Sequence, residues 1–238
     1  MWQEIAVGFI FFFAMVVSAI TGFAGNMLAM PGAIQLIGIT DAKVVVTLVS
    51  TVNGIIVTAM TWRYVNFREI GKIIAFMLPG MLVGYFLYYQ VDLKFLLYIY
   101  GSVIVAIAVY TWLGKTGPRK VKLPLMIVLM TCAGLMQSLF VSGGAFVVLY
   151  AVTVFTDKAE FRATLSALWV VSNLLILGQE IGAGEITSYN FTLSVYVVIP
   201  TLFGIYLGNR IYKKVSGSTF FNMANFLLVI SGLSCFIK

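Results

Sequence analysis

Residues 22–31 read GFAGNMLAMP, and this stretch decides the fold because it interrupts a long hydrophobic run. Two glycines, an asparagine and a proline stand between the apolar residues before it and a further apolar stretch after it. Residues 138–146 read SLFVSGGAF, a second glycine-rich interruption about 120 positions later. Glycine and proline both disfavour a continuous helix. The sequence therefore predicts two helix breaks at matching positions, each followed by a short helix.

The composition is that of an integral membrane protein. The chain has 238 residues, of which 61% are hydrophobic and 10% are charged, whereas a soluble domain carries about 25% charged residues. The apolar runs are continuous, which favours membrane helices over a barrel with alternating sides. Met1–Glu4 carries no positive side chain, so Ile5–Ile20 is predicted to be a retained span instead of a cleaved signal. An all-α membrane fold is the prediction.

Ten apolar segments divide the chain, and two of them are short. The predicted segments are residues 4–21, 27–38, 43–62, 71–89, 93–113, 123–140, 144–156, 162–180, 190–211 and 218–237. A membrane-spanning helix needs about 20 residues, so the second and seventh segments are either re-entrant or halves of discontinuous spans. The predicted organisation is a first membrane repeat at 1–114, a basic cytoplasmic linker at 115–122 and a second membrane repeat at 123–238.

The distribution of lysine and arginine favours full crossings. If both short segments count as crossings and the linker is cytoplasmic, 12 positive side chains lie inside and 3 outside, whereas re-entrant segments give 8 against 7. Cytoplasmic loops carry the excess of positive charge in membrane proteins. Both termini are then extracytoplasmic, and the second five-segment half is inverted relative to the first, as in many secondary transporters. The net charge of +7 is read as this topology signal, and no nucleic-acid partner is expected.

The two halves also share residues at matching spacing. The matches are Asp41-Ala42-Lys43 with Glu160-Phe161-Arg162, Asn53 with Asn173, and Pro79 with Pro200. Each proline precedes a Gly-xxx-Gly pair, at Gly80 and Gly84 and at Gly204 and Gly208. Such pairs let membrane helices approach closely. Together these features resemble the sulfite exporter TauE/SafE family over almost the whole chain, although Ala24, Asn26 and Ser142 depart from its more glycine-rich breaks.

The resemblance implies transport of small sulfur-containing anions, such as sulfite or organosulfonates, across a prokaryotic inner membrane. A broken helix offers a physical basis, because the first backbone N–H groups of a helix lack intrahelical partners and attract anions. The predicted binding residues are Gly22, Gly25, Asn26, Asn53, Gln137, Ser138, Ser142, Gly143, Gly144 and Asn173. Lys43 and Arg162 are predicted to be gates. The alternatives are close packing for the glycines, interhelical hydrogen bonds for the asparagines, and snorkelling or ion pairs with Asp41 and Glu160 for the gates.

Other chemistries find little support in the sequence. There is no histidine, and Cys132 and Cys235 lie inside apolar segments, so neither an enzyme, a metal site nor a bound cofactor is expected. No Asp or Glu is placed at the centre of a span, and Glu180 and Glu185 are assigned to an acidic loop. Coupling to protons or sodium therefore has no support at this stage.

The function predicted is a secondary transporter of small anions in a multi-pass inner membrane protein, with lipid as its surroundings. Two alternatives stay open: an anion-selective channel or facilitator that uses the same site, and a membrane structural protein that does not transport. Which anion is carried and in which direction cannot be read from these residues, and a homodimer is one alternative for the oligomeric state.

Overall fold

The computed structural model describes residues 2–91 and 122–214 throughout, and scattered residues between 95 and 109 and between 219 and 236. Within this part of the chain all regular structure is helical. The α-helices are α1 (Trp2–Thr21), α2 (Gly25–Ile37), α3 (Ile39–Thr61), α4 (Phe67–Gln90), α5 (Leu123–Phe140), α6 (Gly144–Val154), α7 (Lys158–Gly182) and α8 (Ser188–Tyr212), with a 3-10 helix at Trp62–Tyr64. The predicted segments 93–113 and 218–237, the linker 115–122 and Cys235 lie wholly or largely outside the described residues.

The described helices follow the predicted segments, and six of them are long and apolar enough to cross a membrane. The first turns of α4, α7 and α8 extend beyond the apolar runs because polar caps start these helices earlier. The Asn66 side chain accepts the Glu69 N–H at 3.1 Å and starts α4, and Asp157 caps α7. Thr187 and Asn190 form a reciprocal capping box at the start of α8. Such caps satisfy backbone donors that hydropathy does not register.

Close glycine contacts join α4 to α5 and α1 to α8, which confirms the packing role predicted for the Gly-xxx-Gly pairs. On α4, a Cβ atom at Gly80 would lie 1.9 Å from the backbone oxygen of Thr131, and one at Gly84 would lie 2.8 Å from that of Leu135, both on α5. On α8, a Cβ atom at Gly204 would lie 2.6 Å from the backbone oxygen of Phe12, and one at Gly208 would lie 2.5 Å from that of Val16, both on α1. No side chain fits at such distances, so the backbones touch. The contacts advance in the same direction along both partners, and each pair of helices is therefore parallel.

Helices α3 and α7 form the centre of the bundle. The most apolar windows of these two helices have the largest buried shares, 56% and 67%. They run antiparallel, since the Thr47 hydroxyl near the start of α3 bonds to Glu180 near the end of α7, at 2.9 Å. Asn66, just after α3, meets Thr164 near the start of α7. Polar side chains midway along both helices therefore face each other inside the protein.

The short helices α2 and α6 cover only part of a bilayer. They contain 13 and 11 residues, which correspond to roughly 20 and 17 Å at the helical rise of about 1.5 Å per residue. The hydrocarbon core is about 30 Å thick. Each short helix packs against the long helix that precedes it. Ser18 and Gln137, each four residues before a break, bond to Asn53 and Asn173 midway along α3 and α7, so both breaks lie within the depth of the bundle.

Polar contacts at the helix ends define two faces of the bundle. At the Lys43 face, Lys43 lies near Glu185, and Asn190 donates to Asp41 at 3.0 Å. At the Arg162 face, Asn66 donates to Glu160 at 3.0 Å, and Arg162 lies beside the ring of Tyr212.

Candidate functional site

Both long helices that lead into a break end at a residue in the left-handed conformation. After α1 that residue is Gly22, with φ of +83°, and after α5 it is Val141, with φ of +52°. Glycine adopts this conformation freely, but it is rare and strained for a β-branched side chain. Val141 was not singled out in the sequence because valine carries no break signal. Tertiary packing holds it there, since its side chain is completely buried.

The two breaks are in direct contact. Asn26 in the first turn of α2 donates its side-chain N–H to the Val141 carbonyl at 3.1 Å. A Cβ atom on Gly144, the first residue of α6, would lie 3.3 Å from the carbonyl oxygen of Phe23. Helices α2 and α6 thus begin beside each other, and the positive ends of their helix dipoles share one region.

Some of the backbone N–H groups at the breaks donate hydrogen bonds to side chains of the protein. The Thr21 hydroxyl oxygen accepts the N–H groups of Phe23 and Ala24 at 3.3 and 3.1 Å. The Gln137 side-chain oxygen accepts the N–H of Gly143 at 3.0 Å. In the first turn of α2, the N–H groups of Gly25 and Asn26 have no intrahelical acceptor because of their position.

A polar cavity lies at the first break. Its volume is about 10 Å³, close to the minimum of about 10–15 Å³ that holds one water molecule. The lining residues are Ser18, Gly22, Phe23, Asn26, Ser50, Asn53, Gly54, Ser166 and Trp169. Of the predicted binding residues, Gly22, Asn26 and Asn53 therefore line this cavity.

Asn53 and Trp169 fix the walls of this cavity. The Asn53 side-chain N–H donates to the Ser18 hydroxyl at 2.9 Å, while its Oδ1 is buried and finds no hydrogen-bond partner among the described residues. The Trp169 indole N–H donates to the Gly22 carbonyl at 2.9 Å. No charged side chain lines the cavity, so any ligand there meets hydroxyl, amide and indole groups.

Asn173 and Gln137 form a second network behind the cavity. Asn173 donates to the cavity residue Ser50 at 2.9 Å and accepts from the Gln137 amide at 2.9 Å. Gln137 in turn holds the N–H of Gly143. A chain of hydrogen bonds thus joins the cavity to the second break, through the same pair of asparagines that the sequence pairs by spacing.

The remaining predicted binding residues lie outside the cavity lining. A Cβ on Gly25 would lie 2.4 Å from the Ser18 Cβ, and one on Gly143 would lie 2.3 Å from the Ala133 oxygen. These two glycines allow each short helix to fold back tightly on the helix before it. Ser138 bonds to Gln179 at 3.4 Å, and Ser142 is buried at the second break.

The two predicted gates are buried, one at each face. Lys43 is 1% exposed and Arg162 is 4% exposed, so neither side chain snorkels to solvent. The interpretation that they pair with Asp41 and Glu160 is wrong, since those acids accept from Asn190 and Asn66. The partners were missed because they come from other helices.

Glu180 is the main polar residue that the sequence reading misplaced. The sequence predicts it as the last residue of the segment 162–180, where an acidic loop begins, but it lies inside α7 and is completely buried. The neighbouring Gly178 and Gln179 made the apolar run appear to end there. Ser18 and Trp169 were also missed, because a single serine or tryptophan in a span carries no signal of its own.

In the described part of the chain, six helices long and apolar enough to cross a membrane, packed around two short helices whose first turns meet inside the bundle, define an all-α multi-pass membrane protein. The sequence profile described as sulfite exporter TauE/SafE matches residues 7–235, and the chain belongs to this family, as its sequence motifs predicted. A similar protein is the "Probable inner membrane transporter protein TsaS" of Comamonas testosteroni, 28% identical over 183 residues and 74% of each chain. No solved structure matches the chain significantly.

Proposed function

We propose that this protein is a secondary transporter of small anions in a prokaryotic inner membrane, with sulfite, organosulfonates or related sulfur-containing anions as its substrate class. The observation that carries the proposal is the direct contact between the two helix breaks beside a polar cavity. Membership of the sulfite exporter TauE/SafE family supports a role as a permease or exporter. The relative from Comamonas testosteroni is described as an inner membrane transporter, which supports the same membrane here.

The architecture proposed is a pair of inverted repeats with both termini outside the cell. Helix α1 packs parallel to α8, and α4 packs parallel to α5, as expected if a two-fold axis exchanges the first and second halves. Asn53 bonds to Ser18, and Asn173 bonds to Gln137, which are equivalent contacts at matching spacing. The proximity of Lys43 to Glu185 also supports full crossings, since a re-entrant seventh segment would separate these residues across the membrane.

The anion is proposed to bind at the first break, between the first turn of α2 and the side chains of Asn53 and Asn26. A compact oxyanion accepts hydrogen bonds from hydroxyl, amide and backbone groups, and it benefits from the helix dipole without a full countercharge. Lys43 and Arg162 are the proposed gates at the two faces. A cavity of about 10 Å³ is too small for sulfite. Binding therefore requires the bundle to open, which favours alternating access over an open channel.

The first test is thermal stability of the purified protein in detergent against a panel of anions. The panel contains sulfite, sulfate, thiosulfate, sulfoacetate, taurine and isethionate, with chloride and acetate as controls. A ligand that binds only the folded state stabilises it by about 2.7 kcal/mol at 100 times its Kd. A saturable rise in Tm with one sulfur compound is expected. A rise with none of them argues against the proposed substrate class.

Flux measurements then separate the alternatives. In proteoliposomes loaded with the unlabelled anion and with the membrane potential held at zero, a carrier accumulates the labelled anion transiently by exchange, whereas a channel only equilibrates it. The carrier is expected to show saturable and strongly temperature-dependent flux. Flux that does not saturate favours the channel, and no flux with an anion that stabilises the protein favours a non-transporting role.

A further inference from the structure

Glu180 is a buried carboxyl group that the proposed anion site does not use. It lies two residues before the end of α7, and its side chain has no solvent exposure. The Thr47 hydroxyl donates to its Oε1 at 2.9 Å. Its Oε2 is buried and has no hydrogen-bond partner among the described residues. One carboxyl oxygen is therefore open to a further ligand.

The charges around Glu180 do not balance. Lys43 is the buried cation on α3, and its Nζ lies 4.0 Å from the Glu185 Oε2 and 3.8 Å above the Tyr88 ring. Glu185, in the loop after α7, also accepts from the Tyr89 hydroxyl at 2.7 Å. The charged and titratable groups around this cluster are Lys43, Asp41, Tyr88, Tyr89 and Glu185. One buried cation therefore faces a fully buried carboxyl group, Glu180, and a partly buried one, Glu185. Lys43 is within ion-pair distance of Glu185, so its charge is already shared when it faces Glu180.

An ionised carboxylate with a hydroxyl as its only hydrogen-bond partner is costly inside a membrane protein. A proton on the free Oε2 removes that charge and requires no more space. We propose that Glu180 is a proton-binding site, and that its proton moves together with the transported anion. This inference rests on the proposed function, and it replaces the sequence-based expectation that proton coupling has no support.

Glu180 is connected to the proposed anion cavity along two helices. Thr47 stands three residues before Ser50, which lines the cavity. Asn173 stands seven residues before Glu180, or about 10 Å along α7. At a separation of about 10 Å and an effective dielectric of about 20, an ionised Glu180 would weaken binding of the anion on the order of tenfold. The bound anion would weaken ionisation of Glu180 by the same factor. The proton and the anion therefore favour each other's binding reciprocally, which favours a carrier loaded with both and hence their movement in the same direction.

The Arg162 face has no matching carboxyl group among the described residues. By the spacing of the repeat, Met60 in the first half is the counterpart of Glu180 in the second half. The Met60 sulfur accepts a hydrogen bond from the Asn209 side-chain N–H at 3.6 Å. Arg162 donates to Asn209. Glu160, the acid at that face, is bonded to Asn66 instead. The proton site is thus a departure from the two-fold pattern and belongs to one face only.

Infrared spectroscopy of the purified protein tests proton binding without reference to transport. A protonated carboxyl group gives a C=O band, and at pH values above about 6 ordinary exposed carboxyl groups are ionised and give none. The spectra are therefore compared in that pH range, where only a carboxyl group that stays protonated contributes. This band is expected in the wild-type protein and in Glu69→Gln, whose acid lies at the opposite face beside Lys72 and Tyr150. It is expected to be missing in Glu180→Gln. Absence of the band from the wild type, or its persistence in Glu180→Gln, overturns the proton site.

Flux in proteoliposomes tests the coupling, with methanesulfonate as the probe because it stays ionised and has no permeant acid form. In the wild type, an inward proton gradient should drive uptake, and an imposed membrane potential should have no effect on one anion moving with one proton. Glu180→Gln should keep anion exchange, lose proton-driven accumulation and become sensitive to the potential. Glu69→Gln should behave as the wild type.

The outcomes separate this inference from the function on which it rests. Anion exchange in the wild type without proton-driven uptake overturns the cotransport and leaves the transporter standing. Proton-driven uptake that survives in Glu180→Gln also overturns it. Absence of both exchange and uptake in the wild type counts against the proposed function and removes the cotransport with it, whatever the infrared result.

Discussion

The two paired asparagines are expected to respond differently when each is replaced by leucine. Asn173→Leu removes two buried hydrogen bonds, to Ser50 and from Gln137, both at 2.9 Å. Asn53→Leu removes one, to Ser18. Interhelical hydrogen bonds in membrane proteins contribute about 0.6 kcal/mol on average and at most about 1.7. The expected loss in the free energy of unfolding is therefore about 1–3 kcal/mol for Asn173→Leu and about half of that for Asn53→Leu.

Thermal unfolding in detergent measures this difference. For chains of this length, 1 kcal/mol corresponds to roughly 2–4 °C in Tm. A loss of about 2 kcal/mol in Asn173→Leu therefore lowers Tm by roughly 4–8 °C, and a loss of about 1 kcal/mol in Asn53→Leu lowers it by roughly 2–4 °C. The anion-induced rise in Tm should show the reverse order, because Asn53 lines the cavity and Asn173 lies behind it. Asn53→Leu should lose most of this rise, and Asn173→Leu should keep part of it.

A double-mutant cycle checks the physical origin of the larger loss. Gln137→Leu and Asn173→Leu remove the same hydrogen bond, so their effects should be less than additive, with a coupling of about 0.5–3 kcal/mol. Leu174→Met, an exposed neighbour on α7, is the control and should not change Tm. Additive losses in the cycle would refute the network. Equal losses of stability in Asn53→Leu and Asn173→Leu would refute the difference in bonding.

Three further predictions concern packing, the first break and topology. Gly80→Ala places a Cβ 1.9 Å from a backbone oxygen of α5, and it should lower the free energy of unfolding by about 1–3 kcal/mol or more. The control is Gly71→Ala on the same helix, where a Cβ meets open space; it should leave Tm unchanged or raise it in the same melting assay. Trp169→Phe leaves the carbonyl group of the first break without its donor, and it should cost about 1–3 kcal/mol and reduce anion binding, as measured by the thermal shift. In a cysteine-free background, Arg68→Cys should react with an impermeant maleimide only from the cytoplasm and Ala183→Cys only from outside; the opposite pattern contradicts the proposed orientation.

Local sequence carries the membrane class and the position of most helices. The hydrophobic runs are long because each span must cover the bilayer by itself, so hydropathy alone locates them. Gly22 marks the first break, since its freedom at positive φ is a property of the residue itself. The two Gly-xxx-Gly pairs also predict close helix contacts correctly, because only small residues permit such contacts. They are Gly80/Gly84 and Gly204/Gly208.

Helix ends and the left-handed residue of the second break, Val141, were less accessible to local reasoning. Asn66 and Asp157 start their helices outside the apolar runs, because capping depends on hydrogen bonds and not on hydropathy. Val141 adopts the left-handed conformation although valine disfavours it. Its buried environment imposes that conformation, and such an override has no signature in the residue type.

The sequence by itself thus determined that this protein crosses a membrane, that both halves contain a break, and which family it belongs to. Only the tertiary structure decided that the breaks touch through Asn26 and Val141, that Trp169 donates a hydrogen bond to the first break, and that Glu180 lies buried against Thr47. The physical reason is that hydropathy and glycine content act within a few residues, whereas these contacts join residues more than 100 positions apart. Side chains from distant helices meet only when the whole bundle has packed, and the charge balance around Glu180 exists only in that packed state.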